Sequence, residues 1–323
     1  MEQGTVPWFH VMLQEIKFMN LQYLSKKTPR YSIPCKYCLP DAHGKPQKGI
    51  ILGVHGFSGS KESTGLKVLS ERAVPEGFGL VCFDLPAHWK SPAPPEMLTT
   101  ENAIQDILFM AEQCRQEFPG LPKFIFATSF GAWLTLLCFQ HSLPLKKNYS
   151  GRRAGDVSAA CSDICVDMGK SVGLRDERMN RVDGTHSPVH PLEDFHIILR
   201  APAVTMPEIF LRLLGMTAEE FKEKAPCECS PDPARPLPLP YSFYESIRRY
   251  SVFDAPEDMY PPMLIMHGDA DPVVPPGDVR RFCRQYPQMD LHMIPGCGHD
   301  FAAPGALDEM CRLAMEYLNK VVK

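Results

Sequence analysis

Two periodicities alternate along this chain. GIILGVHG (Gly49 to Gly56) is a continuous apolar run ending in glycine, the pattern of a strand buried on both faces. Lys61 to Ala73 follows with Leu66, Leu69 and Ala73 at helical spacing, then a strand over Gly79 to Pro86. A long helix is predicted over Glu101 to Phe118, where Ile104, Ile107, Leu108 and Ala111 recur at i, i+3, i+4 and i+7, with Thr100 as its N-cap. A strand at Lys123 to Thr128 and a helix from Phe130 continue the series. Upstream, His10 to Phe18 and Tyr31 to Leu39 read as strands from their β-branched and aromatic content. Strand–helix alternation of this kind implies an α/β architecture: a mostly parallel central sheet with helices on both faces.

The rhythm breaks between Lys146 and Asp194, a charged, Gly- and Ser-rich, aperiodic stretch that buries little and reads as an insertion. Phe195 to Val204 restores a strand. Ile209, Phe210, Leu213 and Leu214 then form a short apolar face, and Thr217 with Glu220 has the spacing of a capping box. Pro231 to Pro240 is a stiff connector. Alternation resumes with a strand at Pro262 to Gly268, a helix near Asp278 to Gln285, a strand at Leu291 to Ile294 and a closing helix from Ala306. The expected organisation is a core in two parts (1–145 and 250–323), an insertion (146–194), a core strand (195–205) and a small cap (206–249).

Composition narrows the function classes. With 34 Lys+Arg against 38 Asp+Glu the net charge is -4, and no basic stripe is present to neutralise phosphates, so nucleic acid is not an expected partner. The 32 prolines, about twice an average share, mark a chain rich in rigid loops. The 12 cysteines accompany a start (MEQGTVPWFHVMLQEIKF) that lacks a basic n-region and an apolar h-region, so free thiols in a reducing cytoplasm are expected. Cys35-x-x-Cys38 and Cys227-x-Cys229 have zinc-like spacing, but the first pair falls in a strand-like segment. His186 and His190 flank Pro188 and cannot share a helical face, so no metal is expected. Phe124 to Leu145 carries no charged residue. It divides at Ser129 into an apolar run and an amphipathic one, a buried strand and a helix rather than a membrane span.

The sharpest chemical feature is ATSFG (Ala127 to Gly131) at that strand–helix junction. A serine there sits on a tight turn that lifts its hydroxyl off the sheet edge, with small residues two before and two after; Ala127 replaces the first glycine of the usual G-x-S-x-G. HGFSGS (His55 to Ser60) follows the first long buried strand and can present the Phe57 N–H, which with the N–H of Phe130 makes a two-donor oxyanion hole. HGDADPVVP (His267 to Pro275) places Asp269 and Asp271 on a loop leaving a buried strand, and GCGHDF (Gly296 to Phe301) does the same for His299. Serine, acid and histidine follow in that chain order, each at a C-terminal strand end, where open α/β sheets build their sites.

With these motifs and FDLPAHWKS the chain resembles the α/β-hydrolase superfamily, most closely its serine aminopeptidase-like and cinnamoyl-esterase-like serine hydrolases. The resemblance covers Gly49 to His141 and Phe195 to Lys323. It implies the α/β-hydrolase fold, with Ser129 as nucleophile, His299 as base and then acid, and Asp271 as the residue that orients it. It leaves Asp269 as a turn residue and requires no cofactor or metal. FDLPAHWKS departs from the family's D-x-P-G-H-G-x-S, with Ala87 and Trp89 where glycines are common. Asp84 is expected to tie down its loop, His55 and His267 to be structural, and His88 to lie near the mouth at most. The expected activity is hydrolysis of a small carboxylic ester, with a short-to-medium acyl or aryl group held by Trp89, Phe210 and Leu213. Two readings compete. An aminopeptidase or amidase would need an acidic amine-binding pocket, for which Glu193 and Asp194 are the candidates. The other is a ligand-binding protein without turnover.

Overall fold

A computed structural model describes residues 19–40, 46–141 and 190–323. The chain divides into two units, Met1–His141 with Pro191–Lys323, and Ser142–His190. The strand expected at His10 to Phe18 and nearly all of the expected insertion lie outside the described residues. Among the described residues ten strands run in chain order: β1 (Met19–Lys27), β2 (Ser32–Pro40), β3 (Gly49–Val54), β4 (Phe78–Phe83), β5 (Lys123–Thr128), β6 (Phe195–Arg200), β7 (Cys227–Glu228), β8 (Pro238–Leu239), β9 (Met263–Gly268) and β10 (Met289–Ile294). The α-helices are α1 (Thr64–Ala73), α2 (Thr100–Glu117), α3 (Phe130–His141), α4 (Met206–Leu214), α5 (Ala218–Lys224), α6 (Tyr241–Ile247), α7 (Pro276–Gln285) and α8 (Ala306–Val321).

Eight strands form one sheet in the order β1-β2-β4-β3-β5-β6-β9-β10, with β7 and β8 paired separately. The β1–β2 and β2–β4 pairs are antiparallel; every neighbour from β4 to β10 is parallel. The apolar runs read as doubly buried are so. Ile50, Leu52 and Val54 of β3 join a core with α2, α3 and α7, while Ile51 faces the other way toward α1 and α8. α3 lies apolar in the middle, with Ala132, Trp133, Leu134, Leu136, Leu137 and Cys138 all fully buried. Its one hydroxyl, on Thr135, donates to the Gly131 carbonyl at 2.8 Å. Among the described residues no helix is long and apolar enough to cross a membrane.

Four details differ from the sequence expectation. The cap of α2 is Thr99, whose hydroxyl accepts the Asn102 N–H. Thr100 is already helical, and both its N–H and its hydroxyl meet the Ser246 Oγ. β1 was not expected, because an edge strand with neither face buried has no reason to alternate; Leu21, Tyr23 and Leu24 are exposed. Nor was α6, too short at seven residues to establish a period. The end of the expected insertion belongs to the core. Leu192 is fully buried, and Asp194 pairs with Arg115 at 2.6 Å, anchoring the entry into β6. The Thr217–Glu220 capping box is present at α5.

Asp84, just beyond β4, ties two loops of the C-terminal edge together, as expected. It accepts the Lys61 N–H at 2.9 Å, the Lys61 Nζ at 2.6 Å and the Lys90 N–H at 3.3 Å. Both ion-pair side chains are buried. Removing the cation strands a buried carboxylate, so Lys61→Met should lower unfolding free energy by about 3–5 kcal/mol. Urea denaturation measures this, and a loss under about 1 kcal/mol would mean the pair behaves like an exposed one.

Candidate active site

From β3 the chain moves outward to β4, then returns to the other side of β3 to form β5 and continues toward β10. The loops leaving β3 and β5 therefore diverge, and the crevice between them is the topological switch point of the sheet. Ser129 leaves β5 with a left-handed backbone, φ 52°. Its N–H donates to the Arg200 carbonyl at 2.9 Å, and its carbonyl accepts from Trp133 and Ala203 at 3.0 and 3.2 Å. Gly131 is obligatory: a Cβ there would lie 2.4 Å from the His55 carbonyl oxygen. Ala127 is tolerated where the pattern has glycine, because it sits within β5, paired with Val54 and Leu199.

Across this edge the structure brings together the three side chains the sequence singled out. The Ser129 Oγ lies 2.9 Å from His299 Nε2, and His299 Nδ1 lies 2.8 Å from Asp271 Oδ2. These partners fix the tautomer: Nδ1 carries the proton and donates to the carboxylate, leaving Nε2 to accept the serine hydroxyl. The other carboxylate oxygen of Asp271 accepts the N–H groups of Val273 and Val274, each at 2.8 Å. Burial pushes the Asp271 carboxyl up, but the His299 hydrogen bond, the histidine charge and the Val274 N–H outweigh it and hold the group below its ordinary range. Asp269 accepts the Gly296 N–H at 2.6 Å, a turn contact as expected. His267 is buried behind the acid loop with Nε2 3.1 Å from the Val274 carbonyl.

The loop after β3 crosses close to the serine, since a Cβ on Gly56 would stand 3.2 Å from the Ser129 Cβ. Two buried histidines shape that loop. His55 donates from Nδ1 to the Gly56 carbonyl at 2.7 Å and accepts the Leu85 N–H at Nε2. His88 donates from Nδ1 to the Pro86 carbonyl at 2.8 Å and accepts the Ser58 N–H at Nε2. Gly59 N–H is taken by the Gly56 carbonyl. These bonds occupy the N–H groups of Ser58 and Gly59 and leave that of Phe57. Phe130 opens α3, so its N–H is one that a helix leaves without an intrahelical acceptor. His88 is thus a buried strut of the loop and not a residue at the mouth.

Beside the serine stands an aromatic cluster. The Phe57 ring lies 5.8 Å from Phe130, 5.8 Å from Phe210 and 5.7 Å from Phe243, centre to centre. Phe130, Phe210 and Phe243 are fully buried, while Phe57 is half-buried. Of the residues expected to hold substrate, Phe210 belongs to this cluster. Leu213, 52% exposed, faces solvent from α4, and Trp89 stacks on the Arg235 guanidinium at 4.2 Å. Neither is among the rings around Phe57. Phe243 was missed because α6 gives no periodic pattern. Asp194 and its neighbour Glu193 precede β6, about 20 Å of strand away from Ser129, and Asp194 is occupied by Arg115 and Lys123.

Comparison with known proteins bears on the family and the fold. A family model described as alpha/beta hydrolase family matches residues 51–311. Among solved structures, the chain is similar to Est1E from Butyrivibrio proteoclasticus with ferulic acid bound, at 18% identity over 93% of this chain and 100% of that one, with a TM-score of 0.63. A putative hydrolase from Agrobacterium vitis matches at 17% identity over 93% and 98% of the two chains, with a TM-score of 0.64. Alpha/beta hydrolase domain-containing protein 10 from mouse matches at 15% identity over 94% and 99%, with a TM-score of 0.57. No curated protein sequence matches.

Burial of His55 and His88 has a measurable consequence. Desolvation lowers His55 to about 4 and His88 to about 3, so both stay neutral in the folded protein. Unfolded, each titrates near 6.5. Below that pH the unfolded chain binds protons the folded chain refuses, so stability present above pH 6.5 is lost as the pH falls toward 4. In unfolding free energies measured with urea from pH 7.5 to 5, each histidine should contribute a fall of up to about 1.4 kcal/mol per pH unit, against the opposite contribution of Asp106, whose carboxyl burial raises to about 7. His88→Gln, which can keep both hydrogen bonds, should make the decline shallower. An equally steep pH dependence in His88→Gln and the unsubstituted protein would show that this ring is not held neutral.

Proposed function

The chain belongs to the alpha/beta hydrolase family, and on that premise we propose that it is a serine hydrolase that cleaves small carboxylic esters through an acyl-enzyme. The observation that carries the reading is the unbroken relay from Ser129 Oγ to His299 Nε2 and from His299 Nδ1 to Asp271 Oδ2. A serine hydroxyl is a poor nucleophile until a base takes its proton. Here His299 removes that proton as Ser129 Oγ bonds to the ester carbonyl carbon. Asp271 keeps the imidazole in the tautomer that can accept, and stabilises the imidazolium that forms. The tetrahedral oxyanion is held by the N–H groups of Phe57 and Phe130. His299 then gives its proton to the leaving alkoxide as the carbon–oxygen bond breaks. Water, deprotonated by the same imidazole, releases the acid and restores Ser129.

Phe57 and its cluster supply an apolar, aromatic wall beside the nucleophile, which suits an aryl or short-to-medium acyl group. The ferulic acid bound to the Butyrivibrio proteoclasticus protein is an aryl acid of that kind. Phe57, the half-buried ring of the cluster, is better placed for this wall than Trp89 or Leu213, with Phe210 packed behind it. An aminopeptidase or amidase is the weaker reading, because the carboxylate considered for a substrate amine, Asp194, is engaged at the opposite strand ends. The intact relay also argues against a binding protein without turnover. Ser129→Ala should lower kcat on a p-nitrophenyl ester by roughly 10⁵–10⁶, the scale of losing a triad nucleophile. A loss of less than about tenfold would remove Ser129 from the reaction. Turnover of an aminoacyl anilide exceeding that of the ester would reverse the order of the two hydrolase readings.

A further inference from the structure

Arg200, the last residue of β6, is a buried cation that the reaction above does not use. It is 7% exposed, and among the described residues no carboxylate pairs with it. Its Nε has no hydrogen-bond partner, and burial lowers the guanidinium to about 10. Its Cζ lies 4.4 Å from the centre of the Phe301 ring. Burying a charge without a counter-ion is unfavourable, and an apolar side chain of similar volume would fill the same space at less cost.

What Arg200 contacts explains its place. Its backbone carbonyl accepts the Ser129 N–H at 2.9 Å, and its Nη2 donates to the His299 carbonyl at 3.0 Å. One residue thus holds the serine by its main chain and the histidine by its side chain. The opposing helix makes room for it: a Cβ on Gly65 of α1 would lie 2.8 Å from the Arg200 Nη1. We propose that Arg200 is a positioning residue that sets the separation of Ser129 and His299, with Gly65 as the space that lets its guanidinium reach the histidine loop. The role rests on the serine hydrolase reading. Arg200 does not touch the reacting atoms; it acts through the two residues that do.

The test combines kcat and KM on a p-nitrophenyl ester with the rate of Ser129 labelling by a fluorophosphonate, each normalised to titrated active sites, and thermal unfolding alongside. Arg200→Met should lower kcat and the labelling rate together by about 10- to 100-fold, the effect of a displacement near 1 Å, with KM unchanged. Arg200→Lys, which can reach the same carbonyl with one donor, should recover part of that loss. Gly65→Ala should lower kcat in the presence of Arg200 and add nothing to Arg200→Met. If Arg200→Met does not fold, Arg200→Lys and Gly65→Ala carry the test. A lowered melting temperature with unchanged kcat per titrated site would overturn the proposal and leave Arg200 as packing. Failure of the unsubstituted protein to react with either ester or fluorophosphonate would instead overturn the hydrolase reading, and the positioning role with it.

Discussion

A serine held at φ 52° between a buried strand and a buried helix is the constraint from which the rest of this sheet edge follows. The turn is tight enough that Gly131 must pass the His55 carbonyl without a side chain, and Gly56 must pass the serine itself. The strain is not confined to Ser129. Ser58, Ala87, Trp89, Ala201 and Phe301 also have left-handed backbones, and with Ser129 they make up the non-glycine residues of that kind among the described residues. All lie on loops leaving the C-terminal ends of β3, β4, β5, β6 and β10. Each costs about 1–3 kcal/mol and persists only where its surroundings over-determine it. Here the surroundings are five parallel strand pairings and two packed faces, which make the edge stiff enough to hold side chains from distant parts of the chain at hydrogen-bonding distance.

The same edge carries four histidines, and burial divides the work among them. His55, His88 and His267 are 0–2% exposed, and desolvation lowers all three. Held neutral, a ring offers one donor and one acceptor in fixed directions. His55 and His88 use both, each joining the loop after β3 to the loop after β4. His299 differs in being 21% exposed and in facing a hydroxyl on one side and a carboxylate on the other. Such a ring has both the route for a proton and the counter-charge that the proposed reaction asks of its base. In the proposed reaction, proton transfer thus falls to the same residue type that builds the loops, separated by access to solvent.

How far this could be read from the sequence follows from what each feature depends on. The buried strands β3, β5 and β9 announced themselves because both faces are covered and each carries an unbroken apolar run, Ile50–Leu52, Phe124–Ala127 and Met263–Met266. Ser129, Asp271 and His299 were legible because each stands on a short glycine-containing motif; two of those glycines record a close backbone approach, Gly131 against His55 and Gly268, where a Cβ would lie 2.1 Å from the Cys297 carbonyl oxygen. Features without such a local record were not legible. Edge strand β1 covers no core and so has no pattern. The Thr99 cap differs from Thr100 only through a tertiary contact, the Ser246 hydroxyl that claims Thr100. Phe57, Phe210 and Phe243 meet from three separate segments, so no window contains the cluster. Ala87 and Trp89 are the instructive pair. They stood out as departures from glycine, and the structure gives them the left-handed backbone that glycine would have adopted without strain. At Trp89 the side chain stacks on Arg235, between β7 and β8, so the strained position joins the loop after β4 to that ribbon.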